Sequence, residues 1–283
     1  MNQLFDKKYP VTSSLLLLTT GVFLSMLLLR GFDYESVQAV YDFGGVLGDE
    51  IQVDPSQSWR LLAAMFVHVG LQHFVLNMVT LYFIGRIAED LFGSKAFLAL
   101  YLLSGLMGNL FVLVFSPEVV AAGASTALAG LFAAIVSLRF IARSPYIRYL
   151  GQRYTALILI NILFSFMPGI SLAGHLGGLV GGGILAFVFP IYGERDSVKK
   201  SWRWGALILY TVGAILLCAW PFIFHPFHPA LINKERDFHK TQRVEFCVLI
   251  WDAELLLTIV GYWPKHISHF EKCSSGLPGC ALG

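Results

Sequence analysis

The sequence predicts an all-α polytopic membrane protein, and three observations predict it. Only 13% of the 283 residues are charged and 56% are hydrophobic, whereas soluble domains carry about 25% charged residues. The apolar residues fall in long runs that do not alternate. Such runs are helices rather than barrel strands, because a bilayer leaves every backbone polar group to be satisfied within the protein. The basic residues then sort to one side of those runs, as the positive-inside rule requires.

Seven spans are expected, near residues 11–29, 71–88, 96–115, 125–142, 154–168, 171–190 and 204–224. The first follows Lys7 and Lys8, but "LLLRGFDYES" offers no small-residue cleavage site, so it reads as a retained helix. The fifth is short and ends in Met167-Pro168-Gly169, a turn signal that joins it to the sixth as a hairpin. With Lys7 and Lys8 inside, the inner segments collect twelve Lys and Arg residues, and the outer segments before residue 224 hold only Arg30 and Arg60. The N-terminus is therefore expected to be cytoplasmic. Residues 31–70 form a long first loop with scattered apolar and aromatic residues, expected to lie in the interface.

Two domains follow: a membrane domain over residues 1–224 and a tail over 225–283, rich in His and charge. The tail's apolar run "CVLIWDAELLLTIVGYW" holds Asp252 and Glu254, which are costly inside a span, so the tail is expected to be extramembrane or interfacial. Its six basic residues would lie outside, a strain on this topology. Cys273 and Cys280 either pair there or stay free.

The acids exclude one chemistry and weigh against two others. Between residues 60 and 190 the only acids are Glu89, Asp90 and Glu118, all at span ends. An intramembrane aspartyl protease needs two facing carboxylates, and a proton-coupled pump usually needs a buried acid. His68 and His73 are five apart with no Glu between, unlike the zinc-protease motif. The expectation is no metal and no cofactor, with nothing to suggest nucleic-acid binding.

What remains is a set of neutral polar groups: His68, His73, Asn77, Ser125 and His175. Singly, each has an ordinary role in packing, interhelical glue or interfacial anchoring. Together they share a depth. Ser125 opens the fourth span from the outside, His175 lies about one turn into the sixth, and His73 and Asn77 share one face of the second, four residues apart. On the rise of an α-helix, all four lie roughly 5–10 Å below the outer surface. The sixth span reads "AGHLGGLVGGG", with Gly174, Gly178 and Gly182 four apart, and the fourth offers Gly130 and Ala134. Small residues at that spacing let helix backbones approach closely, which brings a histidine on one helix within reach of a serine on its neighbour, as an activated nucleophile requires.

Four motifs carry a resemblance to the rhomboid intramembrane serine proteases. "GAST" at 123–126 resembles that family's G-x-S-x, "HFVLN" at 73–77 its H-x-x-x-N, "GHLGGLVGG" at 174–182 its A-H-x-G-G-x-x-x-G, and "SWR" at 58–60 the Trp-Arg of its first loop. Glu89 falls where the family has an acid at the inner end of the second span. The resemblance covers about residues 5–225 and implies a rhomboid-like six-helix bundle plus one C-terminal transmembrane helix. It also implies a serine endopeptidase that cleaves transmembrane helices of single-span or polytopic membrane-protein substrates near the extracytoplasmic face. Ser125 would be the nucleophile, His175 the general base, and His73, Asn77 and the Ser125 N–H the oxyanion donors, with Gly123 leaving room for substrate. No acid orients His175, so a dyad is expected. Thr126 and Gly174 depart from the commonest residues, and Ala129 replaces an aromatic ring that packs under the histidine in many members; Phe132 or Phe166 is expected to substitute. The alternative function is a silent relative that binds transmembrane clients without cutting them. The short N-terminus favours a bacterial plasma membrane as the location, with an organelle membrane, its lumen on the outer side, as the alternative.

Overall fold

The computed structural model describes residues 6–166, 169–194, 196–224 and 244–246. Among the described residues the seven long helices are α1 (Pro10–Arg30), α5 (Gly70–Phe92), α6 (Ser94–Phe115), α7 (Ser125–Ile141), α8 (Pro145–Phe164), α9 (Leu172–Val188) and α10 (Lys200–Phe224). Three of them, α1, α6 and α10, are long and apolar enough to cross a membrane on length and composition. Helix α5 with the bent segment before it, at 77°, makes a fourth candidate, whereas α7 and α9 are shorter apolar helices of 17 residues. The result is an all-α polytopic membrane fold.

Helix α7 is the centre. Of its 17 residues, the stretch Ser125–Ile135 is buried without interruption, and α6, α8 and α9 pack around it. Glycine makes this possible. A Cβ added at Gly178 or Gly182 of α9 would collide with the Thr126 or Gly130 carbonyl of α7, so the two backbones meet directly. Only Tyr210 and Pro221 of α10 are buried, and its Ile208, Leu209, Ile215 and Leu216 form an outward apolar surface.

The start of α1 and the end of α5 are held together by a carboxylate. Glu89, 4% exposed, accepts hydrogen bonds from the Val11 and Thr12 backbone N–H groups at 3.0 and 2.9 Å, from Thr12 Oγ1 at 2.7 Å and from Ser94 Oγ at 2.7 Å. It thereby satisfies two of the orphan donors that open α1, and its charge suits a helix N-terminus. Gly93 turns α5 into α6 with φ +78°, a backbone that favours glycine.

The first loop is folded onto the bundle. It contains α2 (Val37–Asp42), α3 (Gly48–Val53) and α4 (Arg60–Ala63), with short 3₁₀ turns between. Arg60 holds it together. Its guanidinium stacks on Tyr41 at 3.9 Å and on Trp59 at 4.8 Å, and it donates to the Tyr41 and Gly45 carbonyls and to Gln57 Oε1. Asn109 of α6 donates to the Leu61 carbonyl at 2.8 Å. A two-way backbone bridge joins Val46 to Ala121 in strand β1 (Val120–Ala122), which also pairs in parallel with β2 (Val244–Phe246).

The fifth helix departs from the expectation. It begins at Pro145, well before residue 154, and is a full 20 residues long rather than short. Its first turns carry Tyr146, Arg148, Tyr149 and Arg153, which an apolar-run reading passes over. Gly169 adopts φ +83°, as a turn there requires. Met167, Pro168 and, apart from β2, the tail at 225–283 lie outside the described residues.

Candidate active site

Ser125 is the first residue of α7, and the segment before it is shaped by two backbone donors. The Gly123 N–H bonds the Ala64 carbonyl at 2.9 Å, and the Ala124 N–H donates to His68 Nε2 at 3.3 Å. Gly123 itself has φ +132°, a conformation that side chains rarely adopt. No side chain caps α7, so its first N–H groups face the end where Ser125 sits, an arrangement that favours negative charge.

His175 stands one turn into α9, whose N-terminus is capped by Ser171 accepting from the Gly174 N–H at 3.2 Å. Its Nε2 lies 3.2 Å from Ser125 Oγ. Both residues are buried, at 3% and 0% exposure. Alcohol and imidazole therefore meet out of contact with bulk water.

His73 and Asn77 lie on one buried face of α5, which packs against α7. The Val69 N–H donates to His73 Nδ1 at 3.3 Å, so this ring accepts at Nδ1 and carries its proton on Nε2, where it is a donor. Asn77 Nδ2 donates to the His73 carbonyl at 2.9 Å. The rings of His68 and His73 are 5.0 Å apart. His68 thus links the α5 face to the segment before Ser125, a structural task in the first loop.

Two features escaped the sequence reading. The first is the contact through which His68 fills its expected structural role in the first loop, the Ala124 N–H on its Nε2. The second is Ser165, just past the end of α8, whose Oγ lies 2.6 Å from His175 Nδ1. Its signal was faint: one hydroxyl in an apolar stretch, ten residues before the histidine. Of the two aromatic residues expected near the ring, Phe132 lines the pocket beside His175, and Phe166 is 69% exposed. Among the described residues no cluster of three or more His, Cys, Asp or Glu is placed to hold a metal ion.

The model of the Rhomboid domain matches residues 55–191, the stretch that contains both Ser125 and His175. Residues 55–191 thus carry a rhomboid domain. It is 31% identical over 194 residues to Rhomboid protease GluP of Bacillus subtilis, covering 66% of this chain and 36% of that protein. It is 34% identical over 176 residues to RHOMBOID-like protein 2 of Arabidopsis thaliana, 58% of this chain and 56% of the relative. It is 32% identical over 174 residues to Rhomboid-like protease 3 of Toxoplasma gondii, 60% and 64% respectively. The matches span less than two thirds of each of these relatives' own length.

Proposed function

We propose that this rhomboid-domain protein is an intramembrane serine endopeptidase that hydrolyses a peptide bond in the transmembrane helix of a membrane-protein substrate. The observation that carries the reading is the 3.2 Å contact between Ser125 Oγ and His175 Nε2, buried between two glycine-faced helices. In the first half-reaction Ser125 Oγ attacks the scissile carbonyl carbon as His175 Nε2 takes the hydroxyl proton. The tetrahedral oxyanion is held by Asn77, by the Nε2–H of His73 and by the Ser125 N–H. His175 then gives its proton to the leaving amine, which leaves an acyl ester on Ser125. Water, deprotonated by His175, attacks that ester, releases the new carboxyl terminus and restores the hydroxyl.

The short helices support the submerged placement. At 1.5 Å per residue, α7 and α9 each span roughly 26 Å, less than the hydrocarbon core of about 30 Å. Ser125 and His175 both lie at the N-terminal ends of these helices, which the positive-inside topology assigns to the extracytoplasmic side. Water for the second half-reaction enters from that side. The outer end of α8, with Leu163 and Phe166 exposed at 70% and 69%, serves as the lateral gate, and the helical substrate unwinds locally to present its carbonyl. Small residues around the cleaved bond suit the confined space beside Gly123 and Ala124.

Purified protein in detergent, incubated with a single-span substrate beside a Ser125→Ala control, tests this. Cleavage by the wild type alone supports the reading. Equal binding of substrate with no cut by either protein would establish a client-binding relative instead.

A further inference from the structure

His175 is held between two hydroxyls, and only one of them is the nucleophile. Its Nε2 faces Ser125 Oγ at 3.2 Å, and its Nδ1 faces Ser165 Oγ at 2.6 Å. A neutral imidazole carries one ring proton. For Nε2 to accept the Ser125 proton, that ring proton must sit on Nδ1, where it needs an acceptor because the ring is only 3% exposed. Among the described residues, the pocket on this side is otherwise lined by Ala129, Phe132, Ile158, Ile162 and Leu179, whose side chains offer no acceptor. Ser165, itself 2% exposed, is the side chain placed to supply one.

We propose that Ser165 is a positioning residue: it accepts a hydrogen bond from His175 Nδ1–H and so holds the general base in its productive tautomer and orientation. This rests on the protease reading above. Ser165 neither gains nor loses a proton. When Nε2 takes the Ser125 proton the ring becomes a cation, and its Nδ1–H bond to Ser165 strengthens as the donor becomes charged. Without the hydroxyl, Nδ1–H would face an apolar wall. The ring proton is then better placed on Nε2, where Ser125 Oγ accepts it, and in that tautomer the histidine cannot act as base. Oxygen on Nδ1 thus does here, without charge, what a buried carboxylate does in a charged triad.

The test compares wild type, Ser165→Ala and Ser165→Thr in detergent. It measures kcat and KM on a single-span substrate, the rate of fluorophosphonate labelling with the labelled residue mapped, and thermal unfolding. A wrong tautomer in a carboxylate triad costs about 10⁴ in kcat. A neutral acceptor contributes less, so Ser165→Ala is expected to lose roughly 10–100-fold in kcat with KM within about twofold. Labelling of Ser125 should slow in parallel, and threonine, which keeps the hydroxyl, should recover most of the rate. Retention of kcat within about threefold by the alanine variant would overturn the proposal. So would equal losses in both variants with lowered thermal stability, which would mark a packing role, or label found on Ser165. A wild type that neither cleaves nor labels would instead sink the protease reading itself.

Discussion

Gly108 of α6 lies against Thr126 and Gly174, the chain neighbours of Ser125 and His175, and replacing it with alanine probes how tightly the site is built. The added Cβ would lie 2.7 Å from the Gly174 carbonyl oxygen and 2.7 Å from Thr126 Cβ. Those residues are the neighbours of His175 and Ser125. Ordinary contact begins near 3.4 Å, so each neighbour must give by more than half an ångström. One is backbone and the other the branched carbon of a side chain 1% exposed, so neither can swing aside. The displacement therefore passes into the first turns of α7 and α9. The Ser125–His175 contact at 3.2 Å has little slack before it leaves hydrogen-bond range.

Overpacking of this kind typically costs 1–3 kcal/mol of stability, and misplacing reacting groups by about 1 Å costs around 10²-fold in rate. Gly108→Ala is thus expected to lower kcat by roughly 10–100-fold, with a modest fall in unfolding temperature. Gly183→Ala is the control. Its Cβ meets nothing closer than Ser137 Oγ at 4.0 Å, so it gains helix propensity without a clash. Cleavage of a single-span substrate and labelling of Ser125 should separate the two variants. If Gly108→Ala cleaves as fast as Gly183→Ala and wild type, close approach of α6 does not set the geometry of the dyad, and the packing argument is refuted.

Other perturbations separate turnover from scaffold. Asn77→Ala should lower kcat by about 10²–10³ with little change in KM, as loss of one oxyanion donor does; an unchanged kcat would remove Asn77 from that role. Glu89→Gln places an amide donor among the donors of Val11, Thr12 and Ser94, and should cost about 1–3 kcal/mol in thermal or denaturant unfolding while folded protein keeps its kcat. Arg60→Lys loses the planar stack on Tyr41 and Trp59 and the spread of donors to Tyr41, Gly45 and Gln57. Limited proteolysis should then cut residues 42–57 faster than in wild type.

How much of this was legible in the sequence follows from the kind of signal each feature leaves. Apolar runs report burial in lipid, so six of the seven long helices fall close to the expected spans. The fifth was misjudged because α8 begins with Tyr146, Arg148, Tyr149 and Arg153, residues suited to a membrane–water boundary. An apolar-run reading is blind to them, although Pro145 at the first helical position was a start signal. The first loop's short helices have no period long enough to read, and Arg60, which organises them, reaches carbonyls 15 and 19 residues away. The contact between Ser125 and His175 was legible because glycine spacing on α9 has one physical use, close approach, and that approach needs a partner face. Ser165 carries no such pattern. Its reach to His175 depends on where α8 ends relative to the start of α9, a distance set by how both helices pack on α7. A motif can name the reacting groups from residue type and spacing alone. The group that orients them is named only by tertiary packing, which here places a hydroxyl on the far side of the imidazole ring.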